Sequence, residues 1–274
     1  MEEVTTTVAG LTVASLTGGS GEPLVMLHHS FGNPGWMPVH ESLAQNHRVH
    51  ALDVPGYGKS QRPDWARHPR DLAILVGQWL RASDLGPAHL VGCGFGGWLA
   101  AELATMAPER LATLTLVGAA GLVPAQGRIY DQFLVSHSDY VRAAFADAEA
   151  YRAVFGAPDD GEADALVTPE GTALTHDTLV SWDIHREMTT RVGWKPYMHN
   201  RRLRPLLAGV PTPTLVVWGE ADRVVPMECG RAYAEALPDA RLEIVADCGH
   251  AVDLEAPEAL TELIAGHTQS RKAG

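Results

Sequence analysis

The stretch Leu90-Val91-Gly92-Cys93-Gly94-Phe95-Gly96-Gly97-Trp98 decides how this chain is read. A mostly apolar run, Ala88 to Val91, leads into it, and an Ala/Leu-rich segment, Trp98 to Met106, leads out. That order predicts a strand, a sharp turn and a helix. Gly92, Gly94 and Gly96 are spaced two apart through the turn, and glycine has no side chain to react with. Cys93 reads as a small apolar residue beside the end of a buried strand.

At 274 residues the chain suits one α/β domain with an insertion. Hydrophobic content of 46% with 20% charged residues belongs to an ordinary globular protein. The net charge of −12 argues against an extended phosphate-binding surface, which needs clustered Lys and Arg. No apolar stretch is long enough to span a bilayer, and the N-terminus has neither a basic start nor an apolar h-region. Cys93, Cys229 and Cys248 are widely spaced, without metal-ligand pairs or a disulfide framework. A cytoplasmic protein is expected, with no nucleic-acid or membrane partner, and a homodimer is left open.

Outward from the turn, Val4 to Leu16 read as an antiparallel hairpin around Gly10, and Leu24 to Leu27 as a buried strand. His47 to Asp53 is a second buried strand, Asp71 to Ala82 a helix, and Leu111 to Val117 a further strand. Strands alternating with helices indicate a parallel sheet. Between about Gly121 and Pro205 the alternation stops. Long helical patterns, Asp131 to Val154 and Leu179 to Val192, flank the polar, turn-rich segment from Gly156 to Gly171. Strands resume at Thr214 to Trp218 and Leu242 to Val245.

Four motifs now resemble those of the α/β-hydrolase superfamily. The opening stretch is similar to its nucleophile elbow, with Gly94 at the nucleophile position. His28-His29-Ser30 resembles the oxyanion loop, usually His-Gly-x, with His29 in place of the glycine and Ser30 where a backbone N–H holds negative charge. Gly219-Glu220-Ala221-Asp222 resembles the acid loop, and Gly249-His250 followed by Leu254-Glu255-Ala256-Pro257-Glu258 resembles the histidine loop. Asp53-Val54-Pro55-Gly56-Tyr57-Gly58-Lys59-Ser60 is similar to a structural turn of the same superfamily, capped by Asp53. The resemblance implies an α/β-hydrolase fold, with a mostly parallel sheet flanked by helices and an inserted helical cap. Residues 1–120 and 206–274 would be the core and 121–205 the cap, or lid.

It also implies a general base, His250, oriented by Asp222, and an oxyanion hole from the N–H groups of Phe95 and Ser30. His28 and His29 would line the same loop. In the cap, Trp182, His185 and Thr189 share one helical face, while Asp183, Glu187 and Arg191 share another. Trp182 and His185 are candidate substrate contacts, and the plain alternative is an amphipathic helix with ion pairs on its outer side. Three functional readings stay open. The first is an enzyme in which His250 deprotonates water or the substrate in the space of the missing side chain, by hydrolysis or by lyase or isomerase chemistry. The second is a ligand-binding pseudohydrolase, and the third a serine hydrolase whose serine was replaced by design. The apolar residues Trp182, Met188, Trp194, Tyr197 and Met198 suggest a small, largely apolar carbonyl substrate. No cofactor or metal is expected. A serine at 94 is expected beside His250, unless neighbours have filled the vacant space.

Overall fold

In a computed structural model, residues 1–155 and 176–270 are described. The segment from Gly156 to Gly171, read above as polar and turn-rich, lies outside them. Eight strands form one sheet: β1 (Glu2–Val8), β2 (Leu11–Gly19), β3 (Glu22–Leu27), β4 (His47–Leu52), β5 (Ala88–Cys93), β6 (Leu111–Val117), β7 (Thr214–Gly219) and β8 (Ala240–Val245). Their spatial order is β1-β2-β4-β3-β5-β6-β7-β8. β2 runs antiparallel to β1 and to β4, and every other pairing is parallel. This is the α/β-hydrolase architecture expected from the sequence, with a mostly parallel sheet flanked by helices.

The helices are α1 (Pro38–Leu43), α2 (Pro69–Ala82), α3 (Phe95–Met106), α4 (His137–Ala143), α5 (Ala148–Phe155), α6 (His176–Gly193), α7 (Leu203–Leu207), α8 (Met227–Ala236), α9 (Val252–Glu255) and α10 (Pro257–Ser270). α2 begins two residues before the expected Asp71 because Pro69 suits a first helical turn. His68 and Asp71 close its N-terminus reciprocally: His68 Nδ1 accepts from the Arg70 N–H, and Asp71 Oδ2 from the His68 N–H.

β5 and β6 are buried along their whole length, since helices cover both faces of a parallel sheet. Trp79 of α2 and Trp98 of α3 are fully buried beside them. Loss of either ring would cost about 3–5 kcal/mol. The central parallel strands aim their C-terminal ends at one edge of the sheet. The residues that follow β3, β5, β7 and β8 are therefore gathered there, which is where open α/β sheets place their sites.

The continuous helical pattern expected over Asp131 to Val154 is broken in the structure. Three short side chains compete with the helix for backbone N–H groups. Asp131 Oδ1 accepts from the Phe133 N–H, Ser136 Oγ from the Asp139 N–H, and Asp147 Oδ1 from the N–H groups of Glu149 and Ala150. Two short helices, α4 and α5, result. α6 matches the second pattern and its two faces: His185, Met188 and Thr189 are buried, whereas Asp183 and Glu187 are exposed and Arg191 pairs with Glu187. Glu102, a fully buried carboxylate of α3, accepts from Trp98 Nε1 and Asn200 Nδ2 and so ties residue 200 to the core.

Candidate active site

The turn after β5 is closed by its glycines. A Cβ on Gly92 would lie 2.5 Å from the Gly96 carbonyl oxygen, and one on Gly96 would strike the carbonyls of Leu27 and His28. Gly94 follows with φ +53° and ψ −111°, a backbone region that only glycine enters without strain. Its N–H donates to the Val117 carbonyl and its carbonyl accepts from the Ala120 N–H, which fixes the turn against β6. Phe95, the first residue of α3, has one of the N–H groups for which a helix supplies no acceptor.

His250, carried past β8, is 1% exposed, and its Nδ1 lies 2.9 Å from Asp222 Oδ2. The other oxygen of Asp222 accepts from the N–H groups of Val224 and Val225, so the carboxylate is held by its own loop while it holds the imidazole. Glu255 shapes the loop before His250, accepting from the N–H groups of Gly249 and Ala146. The Nε2 atom of His250 faces Gly94 and would stand 2.9 Å from a Cβ on that residue.

A second histidine shares that space. His29, 1% exposed, follows β3 and would stand 2.5 Å from the same Cβ through its Nδ1 atom. Its Nε2 lies 2.8 Å from Asp253 Oδ1, and its ring stacks on Phe31 at 4.8 Å. The rings of His29 and His250 meet edge to face, with centroids 4.9 Å apart. Burial raises the Asp253 carboxyl, but the charge and hydrogen bond of His29, with His40 beyond, outweigh it and leave its pKa below the ordinary value. The space that a serine side chain at 94 would need has thus been taken by His29.

The other residues singled out in the sequence fall around this centre. His28 uses both ring nitrogens on backbone, Nδ1 donating to the His29 carbonyl and Nε2 accepting from the Val54 N–H. Burial lowers its pKa to about 3, so it is a neutral strut. Ser30 Oγ donates to the Tyr140 hydroxyl, 3.0 Å away, and Tyr140 joins the site from the insertion. His185 is a bracket: Nε2 accepts from the Gly58 N–H and Nδ1 donates to the Phe31 carbonyl. Trp182 stacks on His137 within the insertion, at 4.3 Å. Trp194 is 55% exposed, Met188 packs on Gly56, and the Tyr197 hydroxyl bonds the backbone at Tyr130 and Gln132. Those last three placements do not make the apolar lining that the composition of the insertion suggested.

Cys93 is buried and its thiol is pushed well above the usual range by that burial, as an inert residue would be. His29, Cys93 and Asp253 each bring one ligand-type atom within 4.8 Å of the others. The histidine and carboxylate atoms are already bonded to each other and the thiol is held protonated, so the donor set suits a hydrogen-bonded pair better than a metal. Asp253 and Tyr140 were not found by sequence reasoning. Asp253 pairs with a residue 224 positions away, and Tyr140 lies where no motif guides the reading.

A family model described as alpha/beta hydrolase fold matches residues 23–257. The chain is 29% identical over 264 residues to a 2-hydroxymuconate semialdehyde hydrolase of Pseudomonas sp. (strain CF600), covering 90% of this chain and 87% of that protein. It is 28% identical over 266 residues to the dihydrolipoyllysine-residue acetyltransferase component of an acetoin cleaving system of Pseudomonas putida. That match covers 90% of this chain but only 63% of the longer relative. The crystal structure of a variant of a meta-cleavage product hydrolase superposes with a TM-score of 0.74 at 20% identity, over 97% of this chain and 98% of that one. Among the described residues no helix is long and apolar enough to cross a membrane.

Proposed function

The chain belongs to the alpha/beta hydrolase fold family, and we propose on that footing that it hydrolyses a small carbonyl compound without a covalent intermediate. Water is held at His250 Nε2, farther from the backbone of Gly94 than a Cβ would be. His250 removes a proton from it, Asp222 orients and stabilises the imidazolium, and the N–H groups of Phe95 and Ser30 hold the oxyanion. The observation that carries this reading is the position of His250 Nε2, backed by a buried carboxylate and 2.9 Å from where a Cβ on Gly94 would stand. Several relatives, the semialdehyde hydrolase among them, act on small carbonyl compounds by name. Esters, lactones and C–C bonds next to a carbonyl are the substrate classes to test.

The described parts of the insertion, 121–155 and 176–205, serve as the lid. Tyr140 and Thr189, both from this insertion, bond Ser30 at its hydroxyl and its carbonyl, and both histidines beneath are 1% exposed. A solvent-open cleft of about 750 Å³ is walled in part by Tyr130, which stacks on Tyr140. Substrate enters when that pair of rings moves.

The test is a screen of esters, lactones and vinylogous diketones with the natural chain and with His250→Ala. Loss of a positioned base lowers turnover about 10²–10⁴-fold. If His250→Ala keeps the full rate on a substrate that the protein turns over, the base assignment is wrong. Tight ligand binding with no turnover would favour the pseudohydrolase instead.

A further inference from the structure

His29 is bound to a carboxylate through one nitrogen and faces the reaction space with the other. A carboxylate accepts and does not donate, so Asp253 fixes the proton of His29 on Nε2, and Asp222 fixes that of His250 on Nδ1. The inward atoms, His29 Nδ1 and His250 Nε2, are then both lone pairs. Both border Gly94, 2.5 Å and 2.9 Å from where its Cβ would stand, and a ligand that reaches both lies farther out from the backbone than that point. His29 Nδ1 is buried and has no hydrogen-bond partner among the described residues. A buried acceptor left without a donor costs about 1–3 kcal/mol, so an arrangement that strands one beside a second acceptor calls for a ligand. That ligand must bring two hydrogens to one small space. Water does so, and a substrate carbonyl does not.

We propose that His29 and Asp253 form a second base dyad, which with His250 and Asp222 holds a single water by both of its hydrogens and receives the second of its protons during hydrolysis. The inference rests on the hydrolytic reading above. With both hydrogens engaged, the lone pairs of the water point away from the two imidazoles toward a carbonyl carbon. As the O–C bond forms, one proton passes to His250 Nε2. As the bond to the leaving group breaks, His250 returns that proton to the departing atom. The product acid still carries the other hydrogen of the water, which passes to His29 Nδ1, and a carboxylate departs. His29 later yields its proton to solvent. One water is consumed and no oxidant, reductant or cofactor enters.

Other ionisable groups border the two rings. Around His29 these are Asp253, Cys93 and His28, with His40 beyond Asp253, and around His250 they are Asp222 and, past it, Tyr140. Burial pushes the Cys93 thiol and the Tyr140 hydroxyl up, and lowers His28 to about 3 and His40 to about 4. Burial therefore keeps these four neighbours from changing charge near neutrality.

The experiment is nitrogen-15 NMR of the histidine rings across pH, in the natural chain and in His29→Gln, with p-nitrophenyl acetate turnover measured on the same samples. The expected spectra show His29 protonated on Nε2 and His250 on Nδ1. Protonating one ring should make the other harder to protonate, and His29→Gln should raise the His250 titration midpoint. The acid limb of log(kcat/KM) should steepen from slope one to slope two in the natural chain and keep slope one throughout in His29→Gln, at about 10-fold to 100-fold lower activity. A His250 titration identical in both proteins overturns the proposal, as does the opposite tautomer at His29. Coupled rings without turnover of any ester, lactone or diketone would sink the hydrolytic reading and leave the shared water site standing. If His29→Gln fails to fold by circular dichroism, His29→Asn supplies the same comparison, because it too removes the second ring and keeps an amide to meet Asp253.

Discussion

The Nδ1 atom of His29 lies 2.5 Å from the place where a Cβ on residue 94 would stand, so the two positions cannot both carry a side chain in this geometry. His29 has little freedom to retreat, being bonded to Asp253 and stacked on Phe31. The expectation that a serine at 94 would find room beside His250 therefore fails for the chain as it stands. Overpacking of this kind costs about 1–3 kcal/mol. Gly94→Ser should lower the melting temperature and show no burst with a p-nitrophenyl ester. Gly94→Ser combined with His29→Gly should gain the burst, although it leaves Asp253 without its partner and so does not recover the lost stability. A single Gly94→Ser variant as stable as the natural chain and competent in the burst assay would show that the two positions do not compete.

Serine-directed fluorophosphonates should leave the protein unmodified, since the turn offers no hydroxyl and Ser30 Oγ is committed to Tyr140. Intact-mass spectrometry after incubation reads the result. A stoichiometric adduct on Ser30 would make that residue the nucleophile and displace the water mechanism.

Acid should unfold the protein steeply. Burial holds His28 at about 3, His40 at about 4 and His50 at about 4, and all three are less than a tenth exposed. Unfolded, each protonates near 6.5. The unfolded chain then binds protons that the folded chain refuses, so stability falls as pH drops from 6.5 toward 4. The slope is about 1.4 kcal/mol per pH unit for each histidine. Thermal melts between pH 8 and 4 should be flat above 6.5 and fall below it. His50→Gln should flatten the descent, and an unchanged slope in that variant would mean that His50 protonates freely in the fold.

His185→Ala should loosen the insertion from the core. Its ring satisfies the Gly58 N–H and the Phe31 carbonyl, and each group left without a partner costs about 1–3 kcal/mol. Trypsin should then cut faster after Arg186 and Arg191. A cleavage rate equal to that of the natural chain would show that other contacts, such as Thr189 to Tyr57, are sufficient.

The parts legible in the sequence were those set by local chemistry. The glycines around residue 94, the apolar runs of β3, β5 and β7, and the loops bearing Asp222 and His250 each announce themselves within a few residues. The pairing of His29 with Asp253 did not, because it joins the loop after β3 to the short helix α9 and depends on the closure of the whole sheet edge. In the insertion the apolar count misled. Trp194 faces solvent and Met188 packs on Gly56, since helical periodicity says which face is buried but not against what. The breaking of the Asp131 to Val154 pattern into α4 and α5 was visible in principle as Asp131, Ser136 and Asp147, residues that cap helices as readily as they sit in them.

The mutual exclusion at residues 29 and 94 constrains how such a chain can descend from a serine-bearing ancestor. A histidine arriving at 29 first would crowd the serine at a cost of about 1–3 kcal/mol, which favours the glycine at 94 coming earlier. That order passes through a protein whose turn is empty and whose His250 stands without His29. On the hydrolytic reading, such an intermediate relies on attack by water with the help of one imidazole, and a second imidazole at 29 is an addition to a protein that already works, more slowly.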